Sequence, residues 1–245
     1  ASQYIPFAID EVNLDFQVLG PSANSEDSVD VLLAASRKEK VDDRVMVAEL
    51  AGLKPLIIDV EPYAARISID NIISQLPAGG EGQILAVFDI GQTATRLAVV
   101  YNGQTVFERE QPFGGNQLTQ EIVRLYGLTA EEAELKKRSG DLPENYTKEL
   151  LHPFVEAGAT ELARSLQFFF SSTPYQRVDR ILLAGGAAVT PGLAESVLQK
   201  TSVPTEILSP FQGMEIGDAV SEKQMNLDAP ALLVSCGLAM RRFDQ

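Results

Sequence analysis

Tryptophan is absent from these 245 residues, and cysteine and histidine occur once each. A single thiol, Cys236, closes no intrachain disulfide and anchors no cysteine-rich metal site. It falls in an apolar stretch with Ala231, Leu232, Leu233, Val234 and Leu238, which points to a buried structural thiol rather than a nucleophile. The lone histidine, His152, leaves no histidine cluster for a metal and weakens any Ser/His/Asp reading. It is expected as an ordinary helix-flank residue. Basic charge is scarce too: 20 Lys and Arg face 34 Asp and Glu, a formal net charge of −14. Nucleic acid and anionic lipid both call for a cationic surface, so neither is an expected partner. No apolar run approaches the roughly 20 residues of a membrane span. No secretory leader precedes Tyr4, and a reducing, cytoplasmic home is expected.

What is present is an ordinary globular balance of 45% hydrophobic and 22% charged residues, which predicts a buried core. Val12, Leu14, Phe16 and Val18 alternate with Asn13, Asp15 and Gln17, the period of a half-buried strand. Turn residues follow at 20–25, and Val29, Val31, Leu32 and Leu33 supply a second strand. Residues 37–52 suit a helix with Val41, Val45, Val47, Ala48 and Leu50 on its apolar side. Leu56-Ile57-Ile58-Asp59-Val60 reads as a short buried strand, and Pro62 opens a helix carrying Ile67, Ile69, Ile72, Ile73 and Leu76. Pro77-Ala78-Gly79-Gly80-Glu81-Gly82 reads as a linker. The chain is thereby expected to divide into a small part over residues 1–60, a helix and linker over 61–83, and a main lobe over 84–245.

The main lobe opens with three strand-like runs, at 84–90, 95–101 and 105–113. The second and third are joined by Asn102-Gly103, a strong hairpin signal. Helical patterns follow at 116–126, 129–138 and 148–171, with Thr129 and Glu132 spaced as a capping box. A strand at 180–184, a helix after Pro191-Gly192, a strand near 206–208 and a closing helix at about 229–242 complete a mixed α/β pattern.

Two glycine-rich turns, each fed by an apolar strand, are the features that could carry chemistry. Asp89-Ile90-Gly91-Gln92-Thr93-Ala94-Thr95 bends between two strands. Such a hairpin can aim N–H groups and Thr hydroxyls at a phosphate, with the aspartate beside a hydrated Mg2+. Taken alone, it reads more readily as a plain hairpin turn. Leu182-Leu183-Ala184-Gly185-Gly186-Ala187-Ala188 is a strand, a glycine pair and a helix start, where a base or ribose can lie on bare backbone. It lacks the GxGxxG spacing and the P-loop lysine, and helix-packing glycines would give the same letters.

Taken in order, a D-x-G hairpin followed by an apolar strand ending in Gly-Gly resembles the second half of a protein of the actin, sugar-kinase and heat-shock-chaperone superfamily. Residues 89–95 resemble its second phosphate loop and residues 181–192 its adenosine motif. Ala133-Glu134-Leu135-Lys136-Lys137 resembles the helix that reaches base and ribose, and Cys236-Gly237-Leu238-Ala239 the second connecting helix. One branch fits more closely. Tyr4-Ile5-Pro6-Phe7 with Glu11-Val12, the run Arg109-Glu110-Gln111-Pro112-Phe113-Gly114-Gly115-Asn116-Gln117-Leu118-Thr119, Arg164-Ser165-Leu166-Gln167-Phe168-Phe169-Phe170, and Asp228-Ala229-Pro230-Ala231 resemble the PilM family of type IV pilus assembly proteins.

That resemblance implies an actin-like, FtsA-like (ribonuclease H-like) α/β fold with ATP and Mg2+ held between two lobes. It implies Gly91, Gln92, Thr93 and Thr95 at the phosphates, Glu134 and Lys137 at base and ribose, Gly185 and Gly186 at the adenosine, and Asp89 at Mg2+. It implies a cytoplasmic scaffold under the inner membrane that holds the N-terminal tail of the membrane protein PilN and links it to the motor ATPase side of the machinery. Residues 1–60 are the expected remainder of the small 1C-like subdomain, and residues 10–60 the expected part of the tail-binding surface. The family's first Asp-x-Gly phosphate loop has no counterpart before Tyr4, so an N-terminally truncated chain is expected. A clamp lacking one wall is expected to hold nucleotide and tail poorly. An open strand edge in residues 10–60 would also invite self-association. A phosphotransferase of the same superfamily and an FtsA-like filament former are the alternatives. The first lacks a separate substrate-binding acid, and the second would end in an amphipathic helix rather than at Arg241-Arg242-Phe243-Asp244-Gln245.

Overall fold

The computed structural model describes residues 4–22 and 27–241. The opening residues 1–3, the expected turn at 23–25 and the terminal residues 242–245 lie outside the described residues. The chain forms two compact units, Ala1–Tyr63 and Ala64–Gln245.

The first unit is a two-stranded ribbon with one helix. Strand β1 (Val12–Pro21) runs antiparallel to β2 (Val29–Arg37), and α1 (Lys38–Leu50) contacts both. The register sets Leu14 opposite Ala35, Phe16 opposite Leu33 and Val18 opposite Val31. Because side chains alternate across a strand, these residues share one face. The period expected for β1 is present, but its burial is not: only Val12 is buried, while Leu14, Phe16 and Val18 are exposed. A ribbon with a single helix has no second layer to put over that face. The apolar side expected for α1 is likewise thin, since Val41, Val45 and Ala48 are partly covered and Val47 and Leu50 are exposed. Leu56–Val60, expected as a buried strand, is extended but belongs to no sheet, and Leu56 is 83% exposed. A strand exists only through its ladder, and among the described residues no neighbour supplies one.

The second unit is a five-stranded sheet covered on both faces. From Ala64 on it contains α2 (Glu61–Ser74), whose Ile69, Ile72 and Ile73 are buried. Strands β3 (Ile84–Ile90), β4 (Thr95–Tyr101) and β5 (Gln104–Gln111) form an antiparallel meander. Both Asn102 and Gly103 adopt positive φ, the backbone that a two-residue hairpin with right-handed strand twist requires. Helices α3 (Asn116–Tyr126), α4 (Ala130–Ser139) and α5 (His152–Ser172) then carry the chain back to β6 (Arg180–Ala184), which pairs parallel to β3. Helix α6 (Leu193–Thr201) leads to β7 (Thr205–Ile207), completing the order β5-β4-β3-β6-β7. Helix α7 (Glu222–Asp228), not foreseen from the sequence, precedes α8 (Leu233–Met240).

The central strands show why their sequences read as unbroken apolar runs. Ile84, Ala86, Phe88 and Ile90 of β3 join one core with residues of α3, α5 and α6, while Leu85 and Val87 join the other with Ile69, Ile72 and Leu233. A strand buried on both faces has no polar side to alternate with. The Thr129–Glu132 capping box forms in full at the start of α4. Before α5, residues Thr147–Leu151 widen into a π turn. His152 N–H reaches back to the Thr147 carbonyl, and Pro153 after it has no N–H to give and leaves no room for the Glu149 carbonyl, which favours a ladder that skips one residue. Pro77–Gly80 is a left-handed turn inside this unit, tied on by the Gly82 N–H to Asn102 Oδ1 at 2.9 Å. Phe169 is fully buried, Phe168 lies 47% exposed under the Arg109 guanidinium, and Cys236 is buried, as expected of a structural thiol.

Candidate functional site

Both glycine turns singled out in the sequence lie at one end of the sheet, and a third turn lies between them. The hairpin after β3 closes on itself through the Gly91 N–H to the Ala94 carbonyl at 2.9 Å. The turn after β6 is laid against β3 by the Ala187 N–H, which donates to the Ile90 carbonyl at 3.0 Å. Gly185 has φ +87°, and a Cβ there would lie 2.5 Å from Asp89 Oδ1 and overlap the Ile90 backbone. Only glycine lets the turn after β6 pass this close to the aspartate.

The third turn is Gly114-Gly115, between β5 and α3. Gly115 N–H donates to the Gly91 carbonyl at 3.0 Å and Asn116 N–H to the Gln92 carbonyl at 2.8 Å. A Cβ on Gly114 would overlap the Gln92 carbonyl. At Gly115 it would meet Ala187 Cβ at 3.2 Å, with the Gly91 carbonyl oxygen and Lys137 Nζ each at 4.0 Å. The hairpin, the turn after β6 and a lysine of α4 therefore converge on one bare stretch of backbone.

The side chains divide by role. Gln92 and Thr93 are exposed at the hairpin tip, Gly91 is half-buried, and Gly186 is exposed, where a Cβ would only touch Ala231 Cβ at 3.8 Å. Thr95 is instead buried, and its hydroxyl donates to the Phe113 carbonyl at 2.7 Å, so it braces the hairpin against the Gly114 turn. Lys137 Nζ donates to Glu134 Oε2 at 2.5 Å and to Thr119 Oγ1 at 2.8 Å. An ammonium has three N–H donors, so one remains for an acceptor beside Gly115. Burial pushes the Glu134 carboxyl up, but hydrogen bonds from Lys137 and Thr119 and the charges of Lys137 and Arg138 outweigh it and hold it below the ordinary carboxylate range.

Sequence reasoning missed Gly114, Gly115 and Thr119 as site residues. A signal was there: Phe113-Gly114-Gly115 leaving a strand and entering a helix repeats the strand–Gly-Gly–helix pattern of residues 181–193. Bare backbone facing a half-buried cation suits an anionic ligand, and a Cβ would fill the cradle. Among the described residues no three His, Cys, Asp or Glu side chains gather as a metal site. A Mg2+ at Asp89 would thus be one held by phosphate oxygens, water and a single carboxylate, the ligand set that this ion accepts.

The family model of the type IV pilus assembly protein PilM matches residues 1–243. A solved PilM–PilN type IV pilus biogenesis complex has a chain 28% identical to this one, covering 98% of this chain and 69% of its own length with a TM-score of 0.76. The ethanolamine utilization protein EutJ from Carboxydothermus hydrogenoformans is 19% identical over 84% of this chain and 62% of its own, with a TM-score of 0.58. An MreB of Spiroplasma citri bound to AMPPNP is 18% identical over 85% of this chain and 66% of its own, with a TM-score of 0.53. The latter two share the actin-like fold. With its sequence matched almost end to end, this chain belongs to the PilM family of type IV pilus assembly proteins.

Proposed function

We propose that this protein is a nucleotide-dependent scaffold of the type IV pilus machinery that holds ATP with Mg2+ in its larger unit and the N-terminal tail of PilN on its smaller one. The observation that supports it most is the convergence at Gly115 of the Gly91 hairpin, the Gly185 turn and Lys137. When bound, nucleotide supplies a polyanion whose presence or absence can bias the conformation. Gly91, Gln92 and Thr93 line the approach to its phosphates, Asp89 takes one position of a hydrated Mg2+, and Lys137 offers its third donor. Glu134 stays ionised and ready to accept from ribose hydroxyls. Gly185 and Gly186 let a base lie against backbone.

For the tail, the exposed ribbon face of Leu14, Phe16, Val18, Val31 and Leu33 supports capture of an extended apolar peptide, with β1 and β2 each keeping one unpaired edge among the described residues. In this reading the protein is cytoplasmic and meets the inner membrane only through PilN. Among the described residues no helix is long and apolar enough to cross it. Calorimetric titration with ATP and Mg2+ tests the first half. Saturable binding by the intact protein, with both walls of the clamp, is expected, and Gly115→Val, which fills the cradle, should weaken it at least tenfold with an unchanged circular dichroism spectrum. Absence of saturable binding, or equal binding by the variant, would refute the placement.

A further inference from the structure

We propose that Thr119 is a positioning residue of this site, its buried hydroxyl fixing Glu134 and Lys137 of α4 from the facing helix α3. The inference rests on the nucleotide-binding reading above. Thr119 is 5% exposed, one turn into α3, and its Oγ1 lies 2.8 Å from Lys137 Nζ, 2.8 Å from Glu134 Oε2 and 3.3 Å from the Gly115 carbonyl oxygen. A hydroxyl carries one proton but can also accept. The carboxylate is the nearer acceptor and the charged one, so the proton goes to Glu134 and the lone pairs receive Lys137.

With the Lys137–Glu134 bond this makes a closed triangle in which each group touches the other two. Two of its corners are long, flexible side chains three residues apart on one helix. Pairs of that kind on a helix surface hold one another loosely. The third corner is short, buried and anchored in the other helix. Thr119 N–H also donates to the Gly115 carbonyl at 3.2 Å, so the residue that orders the charged pair stands on the same turn that forms the cradle. Without the hydroxyl, Lys137 and Glu134 would keep each other but lose their fixed place relative to Gly115. A ligand would then have to order them as it binds. The other charged or titratable groups facing Glu134 are Arg138, whose Nε lies 3.5 Å from Oε1, and Tyr146. Neither substitutes for Thr119, because neither reaches from α3.

The test compares Thr119→Val, which removes the hydroxyl, with Thr119→Ser, which keeps it. In nucleotide-free protein, carbon-detected NMR should show the Glu134 carboxyl titrating at higher pH in Thr119→Val and near its native position in Thr119→Ser. Affinity for ATP with Mg2+ should fall about five- to tenfold in the first and return in the second. An unchanged Glu134 titration in Thr119→Val would overturn the proposal, as would an affinity loss that serine fails to restore. If the valine variant does not fold, Thr119→Ala carries the same expectations. Should the intact protein bind no nucleotide, the nucleotide reading fails, while the NMR titration still decides whether Thr119 positions Glu134.

Discussion

Replacing Gly237 by alanine sets two effects of opposite sign against each other. In the middle of a helix, alanine is favoured over glycine by about 1 kcal/mol. Gly237 sits in α8 where that helix crosses α2, and a Cβ there would overlap the Ala64 carbonyl and lie 3.2 Å from Ser68 Oγ. Both neighbours are fully buried, and Ser68 Oγ is engaged with the Leu233 carbonyl at 2.7 Å. The obstacle is backbone, which cannot swing aside as a side-chain tip can, so the overpacking cost belongs near the upper end of its usual range, about 3 kcal/mol. Subtracting the propensity gain leaves a net loss of about 2 kcal/mol. For a unit of this size that lowers the melting temperature by about 4–8 °C. Thermal unfolding followed at 222 nm reads the shift directly, with urea midpoints as a second measure. A melting temperature equal to or above that of the natural protein would refute the close-crossing argument, because propensity alone predicts stabilisation.

Phe169→Ala should destabilise by about 3–5 kcal/mol by urea denaturation, since the ring is fully buried against Phe107, Phe170 and Tyr175. Phe168→Ala, at a half-exposed ring whose main contact is Arg109, should cost about 1 kcal/mol or less. Equal losses at the two positions would contradict the packing. Tyr146 is held above the ordinary phenol range, first by burial and then by the nearby Tyr126 and Glu134. The unfolded chain therefore gives up this proton first as pH rises, so the contribution of Tyr146 is complete below about pH 10 and is lost above it. Tyr146→Phe should lose less stability than the natural protein between pH 9 and about 11 in the same denaturation assay, and parallel curves would remove Tyr146 from the account.

Local chemistry determined much of this protein before any tertiary contact. The unbroken apolar run of β3, the Asn102-Gly103 hairpin and the Thr129–Glu132 capping box could be read directly, because each is decided by neighbours within a few positions. The family blocks around Phe113 and Phe168 could be read as well, though not what they do. What only the tertiary structure decided is where distant segments meet. Gly91, Gly115, Lys137 and Ala187 come together because the meander and the parallel return of β6 bring three separate turns to one end of the sheet. Thr119 joins Glu134 and Lys137 only because α3 and α4 pack on each other. The same limit explains the failures. The period of β1 and the apolar letters of Leu56–Val60 state what a segment could bury, and burial depends on a covering layer that periodicity does not record.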